Sequence, residues 1–421
     1  MTPVPRMSFL SADRINWGSL SQIMRFRAHT RPSELLETPV ITRKIKGRKI
    51  ALIADAAAAE LTLFRSPYAF PKAEVQRKVA FAALGQGLSG TPGAQNSKQR
   101  RAIRPLFSSV LKHSIHSVAA EATKDAITRW LRQGVINLSM EMSELTLQVA
   151  WATLFGTGKY QGRESLITDV TQQLSKAHKA NFIGNAKIIR QLTKYLISSG
   201  RWKSLPPDNP FSTIMGSSEA HSGGLSKEEV EANATVLAAS GHVTTGITLA
   251  WCLWLMTRFP AYQEKLFNNI VTSEKPAKDP LLIAVINETM RLFPPGTETM
   301  RDATVPLSIG DDEIEAGALL IISIYALHRS LRYWQDPDSF QPERFLGSMN
   351  VPRGAFIPFS GGPYGCLGAA IAQEEMVQVM SVILKHIQLT PISIDGATAM
   401  GLEAGVCLYP DRPLLVHVAK R

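Results

Sequence analysis

The run Phe359, Ser360, Gly361, Gly362, Pro363, Tyr364, Gly365, Cys366, Leu367, Gly368, Ala369 decides how the rest of the 421-residue chain is read. An aromatic residue leads into a glycine-dense turn, one cysteine follows, and Ala369 to Leu384 carries helix-forming residues. The pattern predicts a thiol at a helix N-terminus, where the dipole and unpaired backbone N–H groups favour the thiolate. The glycines keep bulk away from the sulfur, so that something large and flat can lie against it. Taken alone, the run also accommodates an ordinary buried cysteine, because a free thiol is usually a small hydrophobe and Gly-rich turns often precede helices.

Working outward, apolar residues at helical spacing dominate, in Lys98 to Val110, Ile115 to Arg132, Met140 to Phe155, Glu164 to Ala180, Ala186 to Ser199 and the long run Ser226 to Arg258. Strand-like alternation is confined to Val40 to Ile45, Lys49 to Ile53, Val305 to Ile309, Leu319 to Ser323, Gly405 to Tyr409 and Leu414 to Val418. The fold class is therefore mainly α with small β-sheets, an α+β arrangement rather than alternating βαβ units. Residues 1–421 contain no Ser/Gly linker or charge block and read as one domain; Ser204 to Leu225 is the most plausible long loop. Three cysteines leave one over in any disulfide pairing, which suits a reducing compartment. No apolar run of about 18 uncharged residues stands out, so the expectation is a cytoplasmic chain with no membrane anchor.

The net charge is +11, and Lys98, Arg100, Arg101, Arg104 and Lys112 form the obvious basic cluster. No aromatic interleaving accompanies it, so nucleic acid is excluded in favour of steering an acidic protein partner. Gly85, Gln86, Gly87, Leu88, Ser89, Gly90 matches the G-x-G-x-x-G spacing, but it follows a helix-like segment and meets Pro92 and Gly93, which excludes a dinucleotide loop. With no flavin or nicotinamide site, electrons for any redox chemistry come from another protein.

Three further constellations matter. Glu288 and Arg291 stand three apart inside the apolar segment Leu281 to Phe293, which Pro294 and Pro295 end. About fifty residues on comes Phe340, Gln341, Pro342, Glu343, Arg344, Phe345, preceded by His328 and Trp334, both read as core residues. Ala239, Ser240, Gly241, His242, Val243, Thr244, Thr245, Gly246 places glycines and paired threonines inside a long apolar helix. Glycine costs roughly 1 kcal/mol there and hydroxyls bond the i−4 carbonyl, so the defect points to a ligand pressing on the helix.

The E-x-x-R pair, the Phe340 to Phe345 block and the cysteine loop, in this order along the chain, resemble the cytochrome P450 family from about Arg31 onward. The resemblance implies haem b with Cys366 as its axial thiolate and iron ligand. Phe359, Gly368 and Gly241 would line the cofactor, while Arg100, Arg301 and Tyr364 would meet the propionates. Tyr364 stands where the family usually has a basic or histidine residue, and Asn96 where it commonly has tryptophan. Glu288, Arg291 and Arg344 would form a buried structural network. Thr244, with Ser240, takes the place of the residues that guide water and protons to dioxygen, yet the expected acid is Val243. Three explanations stay open: Ser240 and Thr244 organise water unaided, the substrate supplies a polar group, or peroxide is used. His242 lies about 200° from Thr244 around the helix and points away from the haem. By position, the substrate contacts are Phe81, Leu84, Leu88, Val236, Val243, Thr297, Thr299, Met300 and Val406.

The resemblance thus implies a monomeric, bacterial-type haem-thiolate monooxygenase acting on a hydrophobic small molecule with at least one polar group. Dioxygen is its co-substrate and a ferredoxin or flavodoxin its electron donor. The alternatives are a peroxide-driven or oxidative-coupling enzyme of the same fold, and a non-catalytic haem protein.

Overall fold

The computed structural model describes residues 4–7, 33–45, 47–107, 109–155, 190, 191, 194, 212, 224–392, 400–404 and 407–421. In chain order the first elements are β1 (Val40–Ile45), β2 (Arg48–Ile53), α1 (Ala56–Glu60) running into a π-turn (Leu61–Arg65), α2 (Glu74–Leu84), α3 (Gly93–Ile103) and α4 (Ser109–Gln133). Then come β3 (Val135–Asn137), α5 (Leu138–Phe155), α6 (Lys227–Arg258), α7 (Pro260–Thr272), α8 (Pro280–Leu292), β4 (Glu298–Asp302), β5 (Leu307–Ile309), β6 (Asp312–Ile314) and β7 (Leu319–Ser323). The last are α9 (Ile324–Arg329), α10 (Ala369–His386), β8 (Ile387–Pro391), β9 (Leu402–Ala404), β10 (Leu408–Pro410) and β11 (Leu415–Lys420). Helices dominate and the strands form small sheets, as the patterning predicts.

Two boundaries are moved by prolines. The helix expected over Lys98 to Val110 ends at Ile103 and passes through a 3-10 turn at Arg104–Phe107, where Pro105 has no N–H for a helical bond. The strand expected from Val305 begins only at Leu307, after Pro306, for the same reason. Of the strand expected over Gly405 to Tyr409, the first two residues lie outside the described residues, and a strand is present at Leu408–Pro410. The helices expected over 164–180 and 186–199, and the loop over 204–225, lie almost wholly outside the described residues.

The chain forms two compact units. One gathers Met1–Glu74, Lys278–Cys366 and Ile392–Leu414; the other gathers Val75–Ala277, Leu367–Pro391 and Leu415–Arg421. The first unit is built on a sheet of order β1-β2-β7-β4, with β2 and β7 parallel and the other pairs antiparallel. Its interior strand β7, Leu-Leu-Ile-Ile-Ser, is buried at every position, the unbroken apolar run expected of a strand covered on both faces.

The second unit is organised around α6. Ser226 caps it in a full capping box with Glu229, and most of the helix is buried. It is long and apolar enough to cross a membrane by composition, but 72% of its most apolar stretch is buried inside the protein. A Cβ on Gly246 would sit 2.8 Å from Thr146 Oγ1 and 3.0 Å from the Met142 carbonyl. That glycine therefore serves the close approach of α5 and not a ligand, which corrects part of the expectation drawn from the helix defect.

Candidate active site

Backbone bonds close the cysteine loop. Ser360 N–H donates to the Ile357 carbonyl at 2.9 Å, Gly365 N–H to Gly362 at 3.0 Å, and Cys366 N–H to the Phe359 carbonyl at 3.0 Å. Ser360 (φ 58°) takes a left-handed conformation that costs a non-glycine residue on the order of 1 kcal/mol. Cys366 is exposed, whereas Cys252 and Cys407 are buried, and burial pushes the Cys407 thiol up to about 12. The ordinary buried-cysteine alternative thus fits Cys407 and not Cys366.

Two glycines of the loop have a reason the sequence did not reveal. A Cβ on Gly361 would run into the Phe64 ring, and one on Gly362 (φ +64°) into the Leu63 carbonyl. Both partners lie on the π-turn after α1, so these glycines let the loop rest on that turn. Arg353 lies 3.9 Å over the other participant's ring, Phe64. Beyond the loop, the Gly368 carbonyl accepts the Ala372 N–H at 2.8 Å as α10 begins.

The E-x-x-R pair is a fully buried, two-pronged contact. Arg291 Nε reaches Glu288 Oε2 at 2.6 Å and Arg291 Nη2 reaches Oε1 at 2.7 Å, with both side chains 0% exposed. The remaining Arg291 donors go to the His328 carbonyl (2.9 Å), the Pro337 carbonyl (2.7 Å) and the Ser339 carbonyl (3.1 Å). Glu288 Oε1 also accepts the Gln341 N–H at 2.9 Å. Arg344 is the looser partner, with Nε 3.5 Å from Glu288 Oε1 and Nη2 on the Asp336 carbonyl at 3.0 Å. His328 and Trp334 are core residues, as expected. Burial and the nearby Arg291 push His328 down to about 3, so its neutral Nε2 accepts the Ile357 N–H at 2.9 Å, two residues before the loop's Phe359.

Arg301 tests whether the first unit fits an anionic cofactor. Its side chain is 1% exposed, with Nη1 on Thr299 Oγ1 (2.8 Å) and on the Met300 carbonyl (2.9 Å). Burial pushes its pKa down to about 10, yet the group stays a cation at neutral pH. Among the described residues no carboxylate pairs with it, and its Nε has no hydrogen-bond partner. Its guanidinium lies 5.6 Å over the Tyr364 ring, and Lys72 Nζ lies 5.9 Å over the same ring, near the outer limit for a cation–π contact. A buried cation with no counter-charge among the described residues, near the tyrosine two positions before an exposed cysteine, fits a ligand that carries acid groups. Lys72 was not singled out in the sequence, because only the bridge between Lys72 and Arg301 brings it to Tyr364.

In the second unit α6 opens along one stripe. Val236, Leu237, Ser240, Val243 and Thr244 lie within about 60° of one helical direction, and Ser240 is exposed while Leu237, Val243 and Thr244 are half-buried. Ser240 Oγ donates to the Val236 carbonyl at 2.6 Å and Thr244 Oγ1 to the Ser240 carbonyl at 3.0 Å, the i−4 bonding the hydroxyls predict. Gly241 turns towards Ala150 of α5, which a Cβ there would meet at 3.8 Å. His242 is buried off the stripe, with Nδ1 donating to the Ala238 carbonyl, and burial pushes it down to about 4. It is neutral at pH 7.

Each hydroxyl on the stripe has given its one proton to a carbonyl, so its oxygen is left to accept from water. The two can therefore orient a water, and they pass a proton only after a hydroxyl rotates away from its carbonyl. Val243 adds no carboxylate to this stripe. Haem, when bound, supplies the oxygen-activating redox chemistry.

The expected substrate contacts separate into groups. Leu84, Leu88 and Val236 meet in one apolar cluster of the second unit with Ala239. Phe81 on α2 is 48% exposed. Met300 is corrected: it is 0% exposed inside the sheet, opposite Ile321, and offers no surface to a ligand. Thr297 and Thr299 are nearly as buried, and the Thr299 hydroxyl is engaged by Arg301. Val406 lies outside the described residues. In the basic cluster Lys98 is engaged, its Nζ 3.1 Å from Glu229 Oε2. Arg101 and Arg104 stay exposed, and Arg100 is half-buried on α3.

A profile of the family described as "Cytochrome P450" matches residues 16–412. The chain is similar to "Cyclooctat-9-en-7-ol 5-monooxygenase" of Streptomyces melanosporofaciens, 27% identical over 356 residues that cover 78% of this chain and 77% of that protein. It is 23% identical to "Cytochrome P450 4X1" of Mus musculus, over 87% of this chain and 81% of the relative. With "Cytochrome P450 4F5" of Rattus norvegicus the identity is 32%, over 41% of this chain and 36% of that protein. A match across nearly the whole sequence, on a mainly helical fold with an exposed cysteine in its glycine loop, makes this chain a member of the cytochrome P450 family, a haem-thiolate monooxygenase.

Proposed function

We propose that this monooxygenase oxidises a hydrophobic small organic molecule bearing at least one polar group, with Cys366 as the thiolate ligand of its haem. Arg301, beside Tyr364, and Arg100 take the propionates, while Phe359, Gly368 and Gly241 line the cofactor. The stripe residues Ser240 and Thr244 order water near the reacting oxygen, with Val243 and Val236 as apolar contacts. Electrons come from a ferredoxin or flavodoxin type protein, drawn to the exposed Arg101 and Arg104. Residues 1–421 work as one cytoplasmic, monomeric domain. The observation that carries this reading is the exposed Cys366 in the same unit as Arg301, a buried cation with no carboxylate partner among the described residues. The likeness to a relative named for cyclooctat-9-en-7-ol supports a substrate of this class.

Cys366→Ala is expected to abolish the reduced carbon monoxide spectrum typical of thiolate ligation while the fold persists in circular dichroism. A thiolate-type spectrum in that variant would refute the assignment.

A peroxide-driven reaction is the second reading, favoured by the stripe of α6, which presents two hydroxyls and no carboxylate. Turnover with hydrogen peroxide is compared with turnover on reductase, ferredoxin and NADPH. Product formed only with the protein redox chain eliminates the peroxide route.

A further inference from the structure

The segment Gly85 to Thr91 is held by a chain of buried amides that begins at the first turn of α6. Glu229 Oε1 accepts from Gln95 and Gln99, each at 3.2 Å, and Oε2 from Lys98 at 3.1 Å and the Ser226 N–H at 2.9 Å. Burial pushes the Glu229 carboxyl up, but these donors outweigh it and hold the group at about 2. It is therefore an anion throughout the physiological range. One helical turn on, Asn233 Nδ2 donates to the Glu229 carbonyl at 2.8 Å, which orients Oδ1 to accept the Leu88 N–H at 2.9 Å. From α3, Asn96 Nδ2 donates to the Leu88 carbonyl at 2.6 Å, and Gln99 Nε2 to the Gln86 carbonyl at 2.7 Å.

Leu88 is thus gripped on both of its backbone polar groups by side chains from two different helices. Gly87 completes the contact, since a Cβ there would stand 2.8 Å from Val236 Cγ2 and 3.0 Å from the Ala232 carbonyl. The loop lies directly on α6, and Leu88 packs with Val236 and Ala239 beside the open stripe. Asn96 and Asn233 are both buried, so truncating either removes a hydrogen bond from a backbone group of Leu88 in a dry setting.

We infer that Asn233 and Asn96 are specificity-positioning residues: by clamping the Leu88 peptide they make Leu88 a fixed wall that limits the bulk of molecule admitted next to Val236 and Ser240. This rests on the proposal that the stripe of α6 faces the substrate. The wall is set before substrate arrives and does not form by closure of the loop around it.

The holoprotein tests this with two readouts. Hydrogen exchange of the Leu88 amide reports the clamp, and Soret-band titrations with imidazole and 4-phenylimidazole report the room beside α6. Asn233→Ala is expected to speed exchange at Leu88 about tenfold, the loss of one hydrogen bond, and to tighten 4-phenylimidazole relative to imidazole by a similar factor. Leu88→Ala is expected to give the same gain for the bulky probe while the amide at that position stays protected. Asn96→Ala should resemble Asn233→Ala, because it frees the other backbone polar group of the same residue.

An unprotected Leu88 amide in the unsubstituted protein would overturn the clamp. Lost protection with an unchanged ratio of probe affinities would overturn the role in specificity. Imidazole that fails to shift the Soret band of the unsubstituted protein would fault the haem reading alone, since the exchange rates judge the clamp independently.

Discussion

Arg291→Ala is expected to cost about 3–5 kcal/mol, the range for removing one partner of a buried ion pair, and to leave little folded, haem-loaded protein. The cost comes from what is left behind. Glu288, with no exposed surface, loses both charge-assisted bonds, and the His328, Pro337 and Ser339 carbonyls lose their donor. Arg291→Lys should fail almost as badly, because an ammonium has three donors and no planar fork to meet Glu288 on two atoms. Arg344→Ala should be milder, since its Nε stands 3.5 Å from Glu288 Oε1 and the side chain is 13% exposed. Denaturant midpoints and the yield of holoprotein measure the series. Equal losses for Arg344→Ala and Arg291→Ala would show that the unequal geometry has no energetic meaning.

Glu375→Gln is expected to do the opposite at alkaline pH. Glu375 on α10 is 3% exposed, its Oε1 has no hydrogen-bond partner among the described residues, and burial pushes its pKa up to about 8. The folded protein therefore holds this proton up to about pH 8, whereas the unfolded chain releases it near the ordinary carboxyl value of 4.5. Between those values the folded state binds more protons, so stability falls as pH rises, by about 1.4 kcal/mol per unit from this group alone. Above the folded pKa the loss is complete, on the order of 4–5 kcal/mol. Glutamine keeps the size and removes the titration. The variant should match the parent near pH 4.5 and exceed it progressively up to pH 8, read as denaturant midpoints at several pH values. Parallel pH profiles for the two proteins would show that Glu375 has found a partner and that this account is wrong.

The legible parts of this protein were those written in local pattern. The glycine-dense loop around Cys366, the paired Glu288 and Arg291, and the long apolar run from Ser226 each follow from residues a few positions apart. Their pattern survives in the fold, and Ser226 caps the long helix as its type allows. The hydroxyls of Ser240 and Thr244 bond the i−4 carbonyls for the same reason, since the helix itself supplies the acceptor. Met300 was named from its position in the resemblance, and position along the chain does not show how deeply a side chain is packed: it is 0% exposed in the fold.

By itself, the amino-acid sequence determined the family, the mainly helical class, the one cysteine suited to a thiolate and the place where an expected acid is missing. These depend on residue type and spacing, which the chain carries with it. Only the tertiary structure decided that Lys98 is tied to Glu229, that Gly246 answers to α5, that Lys72 lies over Tyr364, and that two asparagines grip Leu88 from separate helices. Each of these joins groups far apart in the chain. Their energies come from burial and from hydrogen bonds completed across packed elements, and no local window of sequence contains both partners.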